Sequence, residues 1–251
     1  MKVREYPFLS IVIPIHNERD NIFLLAEQIV SAFSDTQEVY ELIFIDDGST
    51  DGSDLLLDNV AEMYDVIKVF HFSRQSGQTA AFDAGFKQAK GDLIITLDGD
   101  LQYDPSDVFR LLPLTRDFAL VCGKRVKRND TLIRALTSRF ANAVRNFFTE
   151  DQVQDTGCSL KIFSRKLVLK IQLFEGVHRF FPTLAKMHGF SITEANVQHF
   201  PRAHGQSKYG IHNRLWCGLL DLFGVWWMTK RCLRYEYRDE KAIHVKRSGN
   251  D

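Results

Sequence analysis

Cysteine is scarce in this chain, and its four cysteines follow no pairing pattern. They form neither a Cys-x-x-Cys pair nor a cluster with histidine, which excludes a typical zinc site or disulfide framework and favours a reducing compartment. They lie at Cys122, Cys158, Cys217 and Cys232.

A long apolar run is also missing. The longest, Leu215–Met228, has 14 residues and is interrupted by Asp221. A helix of that length covers about 21 Å, whereas the hydrocarbon of a bilayer is about 30 Å thick. Because the residues after Met1 lack the apolar core of a signal peptide as well, we expect a cytoplasmic protein without a membrane-spanning helix.

Glycine-rich phosphate loops are absent, since neither G-x-G-x-x-G nor G-x-x-x-x-G-K occurs. A nucleotide site would therefore use carboxylates and a metal ion. Residues 1–70 hold 4 Lys and Arg against 14 Asp and Glu, and residues 124–214 hold 16 against 6. This asymmetry suggests a cleft that binds a cation together with an anionic ligand, although solvated helix faces are an alternative. Uniform basic charge is missing, so no nucleic-acid partner is expected.

Apolar strand patterns alternate with helical ones through the first half of the chain. This alternation predicts βαβ units, and hence an α/β fold with a mainly parallel central sheet flanked by helices. Strands are expected at 8–15, 41–45, 66–72, 92–97 and 118–122, and helices at 21–34, 53–64, 79–89 and 105–112. Further on we expect a helix over 131–148, a strand over 155–164 and a loop over 200–209.

Two acidic clusters follow predicted strands, where ligands of parallel sheets collect. Asp98 and Asp100 flank a glycine directly after the fourth strand, with Gln102 two residues on. Such oxygen ligands suit Mg²⁺ or Mn²⁺, although an isolated D-x-D is more often a turn. In the second cluster, Ser49 to Asp51 fit a helix N-cap, whereas Asp46 precedes the turn and is expected to bind a nucleobase or ribose.

Several motifs together resemble the family-2 glycosyltransferases with the GT-A fold, a Rossmann-like nucleotide-diphospho-sugar transferase fold. They are residues 11–18 (IVIPIHNE), 45–51 (IDDGSTD) and 97–102 (LDGDLQ). Three segments are similar to motifs of the dolichol-phosphate mannosyltransferase and polyprenyl-phosphate subgroup. They are the D-x-D-L-Q segment with Pro105, residues 154–161 (QDTGCSLK) and residues 202–209 (RAHGQSKY). Cys158 departs from the phenylalanine that is commoner there.

The resemblance implies a role for particular residues. It places Asp98, Asp100 and Gln102 around Mg²⁺ or Mn²⁺, and Arg202, Ser207 and Lys208 around the acceptor phosphate. It places Asp155 near the transferred sugar and assigns catalysis to Asp98, Asp100, Asp155 and Arg125. The implied donor nucleotide-sugar site consists of Pro14, Glu18, Asp46, Asp47, Arg74, Asp98, Gly99, Asp100, Arg125 and Arg128.

The implied reaction is an inverting transfer of a hexose from a GDP- or UDP-sugar to a polyprenyl or dolichyl phosphate. A phosphate monoester is already anionic near pH 7 and needs positioning, whereas a hydroxyl acceptor needs a general base. Transfer to a saccharide or glycolipid hydroxyl with Asp155 as base stays open. A nucleotidyltransferase is a further alternative, and a lectin-like or scaffold role is disfavoured because the donor, metal and acceptor motifs all occur.

The C-terminal part of the chain is expected to differ from the rest. We divide the chain into a catalytic domain, residues 1–212, and an amphipathic helix with a basic tail, residues 213–251. Trp226 and Trp227 are adjacent and cannot both face one core stripe, and basic residues flank them. This suits a membrane–water boundary, with packing on the core as the alternative. We expect peripheral attachment to the cytoplasmic face, directly or through a separate membrane subunit.

Overall fold

The computed structural model describes residues 8–34, 36, 39–126, 145–146, 148–149, 153–201 and 211–233, without the side chains of 211–217 and 219. Its strands are β1 (Leu9–Ile15), β2 (Tyr40–Asp46), β3 (Ile67–His71), β4 (Leu93–Thr96), β5 (Leu120–Arg125), β6 (Lys161–Ser164) and β7 (Ile192–Val197). Its helices are α1 (Arg19–Ser34), α2 (Ser53–Met63), α3 (Gln78–Gln88), α4 (Asp107–Leu111), α5 (Arg165–Lys170), α6 (Phe181–Met187) and α7 (Ile211–Arg231). Short 3₁₀ helices cover Leu112–Arg116 and Val177–Phe180.

The strands form one sheet in the order β3-β2-β1-β4-β6-β5-β7. β6 pairs antiparallel with β4 and β5, while the other neighbours pair in parallel. The predicted α/β architecture is therefore confirmed. Because β6 runs the opposite way, its first residue, Lys161, pairs with Thr96 of β4 and Cys122 of β5 and lies near the edge where those strands end.

The two faces of the sheet bury separate apolar clusters. Ile11 and Ile13 of β1 face α1 and α2, whereas Val12 faces the side of α3 and α6. This follows from the alternation of side chains along a strand. On the second side Phe163 and Phe181 meet edge to face with ring centroids 5.1 Å apart. That aromatic packing fixes the 3₁₀ helix before α6 beneath the edge of the sheet.

Several element boundaries differ from those expected. β5 continues to Arg125, which therefore ends a strand instead of lying in a loop, because β7 pairs with it as far as Val197. The strand expected from Asp155 begins only at Lys161, since residues 155–160 turn to form other contacts. The expected helix 131–148 and loop 200–209 lie largely outside the described residues.

Within the described part of the chain, no helix is both long enough and apolar enough to cross a membrane. α7 has 21 residues, and on its described portion Leu222 and Val225 are buried against the core. Leu220, Phe223 and Trp227 lie on the exposed side.

Candidate active site

The loop after β4 carries the predicted metal ligands. The backbone N–H of Asp98 donates to Ser159 Oγ at 3.1 Å, and its Oδ1 accepts from Gln78 Nε2 at 3.0 Å. Asp100 is 5% exposed, and its Oδ1 accepts from the backbone N–H of Gln102 at 3.3 Å. The loop therefore brings both carboxylates to the edge of the sheet.

Two residues of this loop adopt special geometry. A Cβ at Gly99 would approach Ile15 Cδ1 to 2.4 Å, so the space between the two aspartates admits only glycine unless Ile15 moves. Leu101 has φ 59°, a left-handed conformation that is unfavourable for a residue with a Cβ. Its side chain is buried in the core, and this packing holds the tight turn between Asp100 and Gln102 in place.

Gln102 connects the loop after β4 to the segment before residue 202. Its Nε2 donates to Phe200 O at 3.2 Å, and its backbone carbonyl accepts from Phe200 N–H at 2.9 Å. The amide side chain of Gln102 thus joins the loop after β4 to the segment that precedes the predicted acceptor loop.

The two aspartates after β2 are buried and hydrogen-bonded. Asp46 is 2% exposed; it accepts from Ser49 N–H at 3.0 Å and from His71 Nδ1 at 2.9 Å. Asp47 accepts from the backbone N–H groups of Ser76, at 2.6 Å, and Gly77. These carboxylates hold together the loops after β2 and β3, a task that their sequence context did not reveal. Their contact with a nucleotide stays a prediction.

The ring of His71 lies between Asp46 and Asp58, and its Nε2 donates to Asp58 Oδ1 at 3.1 Å. Burial of the ring opposes protonation, but the two carboxylates outweigh it and raise the pKa of His71. The Asp46 carboxylate therefore has a neighbour that is charged over part of the physiological pH range.

The loop after β1 is fastened to the same region. The backbone pairing of β1 with β4 ends at Val12. Pro14 lies beyond it, so the N–H that a proline lacks is not needed for pairing with β4. Asn17 Oδ1 accepts from Thr50 N–H at 2.7 Å, and Glu18 accepts from Asn21 Nδ2 at 2.7 Å. Arg74, in the turn after β3, is exposed.

Arg125 and Asp155 form a two-point ion pair. Nε and Nη2 of the arginine each lie 2.7 Å from a different carboxylate oxygen, and the backbone N–H of Arg125 also donates to Oδ2 at 3.2 Å. Burial opposes the charge of the guanidinium, but the bonds to Asp155 raise the pKa of Arg125. The structure thus joins to each other two residues that were predicted to contact substrate.

A cavity of about 340 Å³ opens beside Asp98. Its polar wall contains residues to which the sequence patterns assigned no role, contributed by α3, the segment before β6, the first residue of β6 and the 3₁₀ helix before α6. They are Gln78, Ser159, Lys161, His178 and Arg179. They lie far apart in the sequence. Ser159 and Lys161 belong to the family motif at 154–161, which assigns them no role, and the others lie outside the family motifs.

The donor set of the β4 loop suits one class of metal ion. Among the described residues, no group of three or more His, Cys, Asp or Glu side chains is placed to hold a metal ion. Mg²⁺ is commonly bound by one or two carboxylates, with water and substrate phosphates in its other positions. Asp98 and Asp100 fit such an ion.

Four residues of the predicted site lie outside the described residues. They are Arg128, Arg202, Ser207 and Lys208.

The fold resembles those of solved glycosyltransferases. The glucosyl-3-phosphoglycerate synthase of Mycobacterium tuberculosis in complex with Mn²⁺, UDP and glucosyl-3-phosphoglycerate matches with a TM-score of 0.65 at 18% identity, over 90% of this chain and 80% of that one. Its complex with Mg²⁺ and UDP also matches with a TM-score of 0.65, at 19% identity, over 90% of this chain and 79% of that one. These likenesses confirm the predicted GT-A fold.

Sequence comparison gives closer relatives. A dodecaprenyl-phosphate galacturonate synthase of Rhizobium johnstonii is 36% identical over 239 residues, which cover 92% of this chain and 68% of that protein. An undecaprenyl-phosphate 4-deoxy-4-formamido-L-arabinose transferase of Photorhabdus laumondii is 36% identical over 214 residues, 84% of this chain and 66% of that protein. The chain thus spans about two thirds of the length of these relatives.

The model of one family, Glycosyl transferase family 2, matches residues 10–171. The match contains the loops after β1, β2 and β4, the Arg125–Asp155 pair and Lys161. The predicted family and its enzyme class are therefore confirmed: the chain belongs to glycosyl transferase family 2.

Proposed function

We propose that this protein transfers a sugar from a nucleoside diphosphate to a polyprenyl phosphate, with a divalent metal ion and with inversion at the anomeric carbon. The observation that carries the proposal is the carboxylate pair Asp98 and Asp100 after β4, of which Asp98 lines a cavity of about 340 Å³. The names of the relatives, which act on dodecaprenyl or undecaprenyl phosphate, support the acceptor class.

The donor is proposed to bind over the ends of β1, β2 and β4. Asp98, Asp100 and the side-chain oxygen of Gln102 would hold Mg²⁺ or Mn²⁺, which supplies positive charge to the departing diphosphate. Pro14, Glu18 and Arg74 lie around the same edge, whereas Asp46 and Asp47 support the loops from within. The metal-containing UDP complexes of the fold neighbours are compatible with this arrangement.

The state of Asp155 favours a phosphate acceptor over a hydroxyl. Each of its oxygens accepts a hydrogen bond from the guanidinium of Arg125, so both are already engaged and the carboxylate is poorly placed to take a proton from a hydroxyl. A hydroxyl acceptor needs a base, but a lipid phosphate is anionic at neutral pH and needs cations to position it. Arg202, Ser207 and Lys208 are the proposed acceptor residues, and Gln102 of the proposed metal loop donates to the carbonyl of Phe200, two residues before Arg202 in the sequence.

The exposed face of α7 is proposed to rest on the cytoplasmic surface of a membrane. Leu220, Phe223 and Trp227 follow one another at helical spacing, and Arg231 lies 5.8 Å from the centre of the Trp227 ring. Trp226 faces inward instead and packs against Phe148. An apolar stripe beside basic residues suits the headgroup region, where a lipid phosphate is presented.

A transfer assay tests the proposal. The protein is incubated with Mg²⁺ or Mn²⁺, a short prenyl phosphate and a panel of radiolabelled UDP- and GDP-sugars, and the products are extracted into organic solvent. We expect metal-dependent label in the organic phase for one sugar, with an anomeric configuration opposite to that of the donor. Label that moves only to a saccharide acceptor would contradict the proposal.

A variant of Lys208 tests the proposed acceptor site. Lys208→Ala is expected to raise the prenyl phosphate concentration needed for half-maximal rate by about 10-fold, the effect of losing one charged hydrogen bond, with donor binding unchanged. Equal losses for donor and acceptor would argue against a position at the acceptor phosphate.

A further inference from the structure

The cavity beside Asp98 has an unusual charge composition. Among the described residues that line it, Asp98 is the single acid, and Lys161 and Arg179 are cations. Asp98 already accepts a hydrogen bond from Gln78 and is the side chain proposed to face the metal ion. With its charge matched by that ion, the remaining wall of the cavity is positive.

Lys161 provides a buried cation at the start of β6. The residue is 4% exposed, and its ammonium donates to two main-chain carbonyl oxygens, those of Thr156 and Cys158. None of the ion pairs formed within the described part of the chain includes it. Both of these described partners are neutral, and burying a cation among neutral groups is costly, so an anion that enters the cavity would offset this cost.

Arg179 adds a second cation from the 3₁₀ helix before α6. It is half-buried, and its Nη1 lies 3.9 Å from the position of a Cβ at Gly218 in α7, so the side chain lies between the cavity and that helix. The two cations therefore reach the cavity from different elements, Lys161 from the start of β6 and Arg179 from the 3₁₀ helix.

His178 completes this wall as an uncharged group. Its Nδ1 lies 2.7 Å from the hydroxyl of Thr79. Burial, with Arg179 and Lys161 nearby, lowers the pKa of His178 to about 4. The imidazole is thus neutral at physiological pH and offers a hydrogen bond without a third positive charge.

We propose that this cavity binds a carboxylate carried by the transferred sugar, and that the donor is a nucleoside diphosphate hexuronic acid or another acidic sugar. The inference rests on the proposed function, because that function places the diphosphate at Asp98 and the acceptor phosphate at Arg202, Ser207 and Lys208. The sugar carboxylate is then the anion that remains for Lys161 and Arg179. A volume of about 340 Å³ lies within the range of small-molecule sites.

The experiment compares donors that differ only at the sugar carboxylate: UDP-galacturonic acid with UDP-galactose, and UDP-glucuronic acid with UDP-glucose. Transfer to a short prenyl phosphate is measured with Mg²⁺ for the unaltered protein and for Lys161→Met. We expect kcat/KM at least 10-fold higher for an acidic sugar than for its neutral partner. Lys161→Met should lower the acidic value by about 10- to 100-fold more than it lowers the neutral value, since it removes one charged hydrogen bond that only the acidic sugar can form.

Two further variants keep the test decisive. Arg179→Gln removes the second cation at a half-buried position and should also reduce the preference for the acidic sugar, even if Lys161→Met fails to fold. Lys166→Met, at an exposed site in α5, should leave the preference unchanged.

The outcomes separate the two proposals. Equal or better transfer of the neutral sugars by the unaltered protein would overturn the acidic-sugar inference and leave the proposed function standing. The inference would also be overturned if Lys161→Met, folded, and Arg179→Gln both retained the acidic preference. Failure of every donor to label the prenyl phosphate would overturn the proposed function itself, and the inference with it.

Discussion

The guanidinium of Arg125 donates two hydrogen bonds of 2.7 Å to the carboxylate of Asp155, and both side chains are largely buried. Arg125 ends β5, and Asp155 begins the segment whose next residues line the cavity beside Asp98. The pair therefore fixes one wall of the proposed sugar site relative to the sheet.

Asp155→Asn is expected to lower stability more than a surface change does. Removing one partner leaves the other charge buried and unpaired, which costs about 3 kcal/mol. Urea unfolding measures this loss. The double variant Arg125→Met, Asp155→Leu should recover part of it because no lone charge remains. If Asp155→Asn instead abolished transfer with unchanged stability, a role for Asp155 as a base toward a hydroxyl acceptor would be supported.

Asp100→Ala is expected to reduce transfer at least about 100-fold, since a group that stabilises charge on the departing diphosphate is lost. Initial rates with saturating donor and metal ion provide the measurement. Asp104→Ala is the matched control, because Asp104 follows in the same loop and accepts from Ser106 N–H at 2.8 Å. Comparable activity in the two variants would remove Asp100 from the metal assignment.

Gly48→Ala is expected to destabilise the loop after β2 more than Gly77→Ala destabilises the start of α3. Both glycines have positive φ, 63° and 93° respectively, so both variants incur backbone strain. A Cβ at Gly48 would in addition lie 2.5 Å from the backbone carbon of Arg74, whereas one at Gly77 meets nothing within 4 Å. Thermal melting of the two variants tests which one is less stable. Equal melting temperatures would contradict the close approach of Gly48 to the backbone of Arg74.

His71→Gln is expected to cost more stability in acid than in base. The pKa of His71 is raised in the folded protein, so protonation stabilises the fold fully below the unfolded value of about 6.5. This contribution disappears as the pH rises through the folded pKa. Urea unfolding of both proteins at pH values of about 5.5 and about 8.5 should give the larger difference at the lower pH. A difference that grew with pH would contradict the charge coupling to Asp46 and Asp58.

The double variant Phe223→Ser, Trp227→Ser is expected to weaken binding to vesicles that contain anionic lipid. Both side chains are exposed on one face of α7, and burying such apolar area in the headgroup region supplies much of the binding energy. Flotation with vesicles measures the bound fraction. Leu169→Ser is the control, because Leu169 is an exposed apolar residue of α5. An equal effect of the two changes would argue against α7 as the membrane-facing element.

The positions of the first five strands along the chain were predictable because each is an apolar run that ends in a polar cluster. The observed β1 to β4 begin and end within one residue of the expected bounds. β5 was placed less well, since its last residues, Lys124 and Arg125, are cationic and gave no strand signal. They are strand residues because β7, more than sixty residues later, pairs with them. The start of β6 was misplaced for a similar reason, as the contacts of Asp155 and Thr156 come from other segments.

By itself, the sequence determined the α/β class, the family and the acidic loop after β4, because apolar periodicity and short motifs are local properties of the chain. Only the tertiary structure decided what the charged side chains do. In the folded protein Asp46 and Asp47 hydrogen-bond to the loops beside them, and Asp155 pairs with Arg125. Lys161, His178 and Arg179 line one cavity. Hydrogen bonds and burial of this kind depend on which distant segments the sheet order brings together, and no local pattern encodes that order.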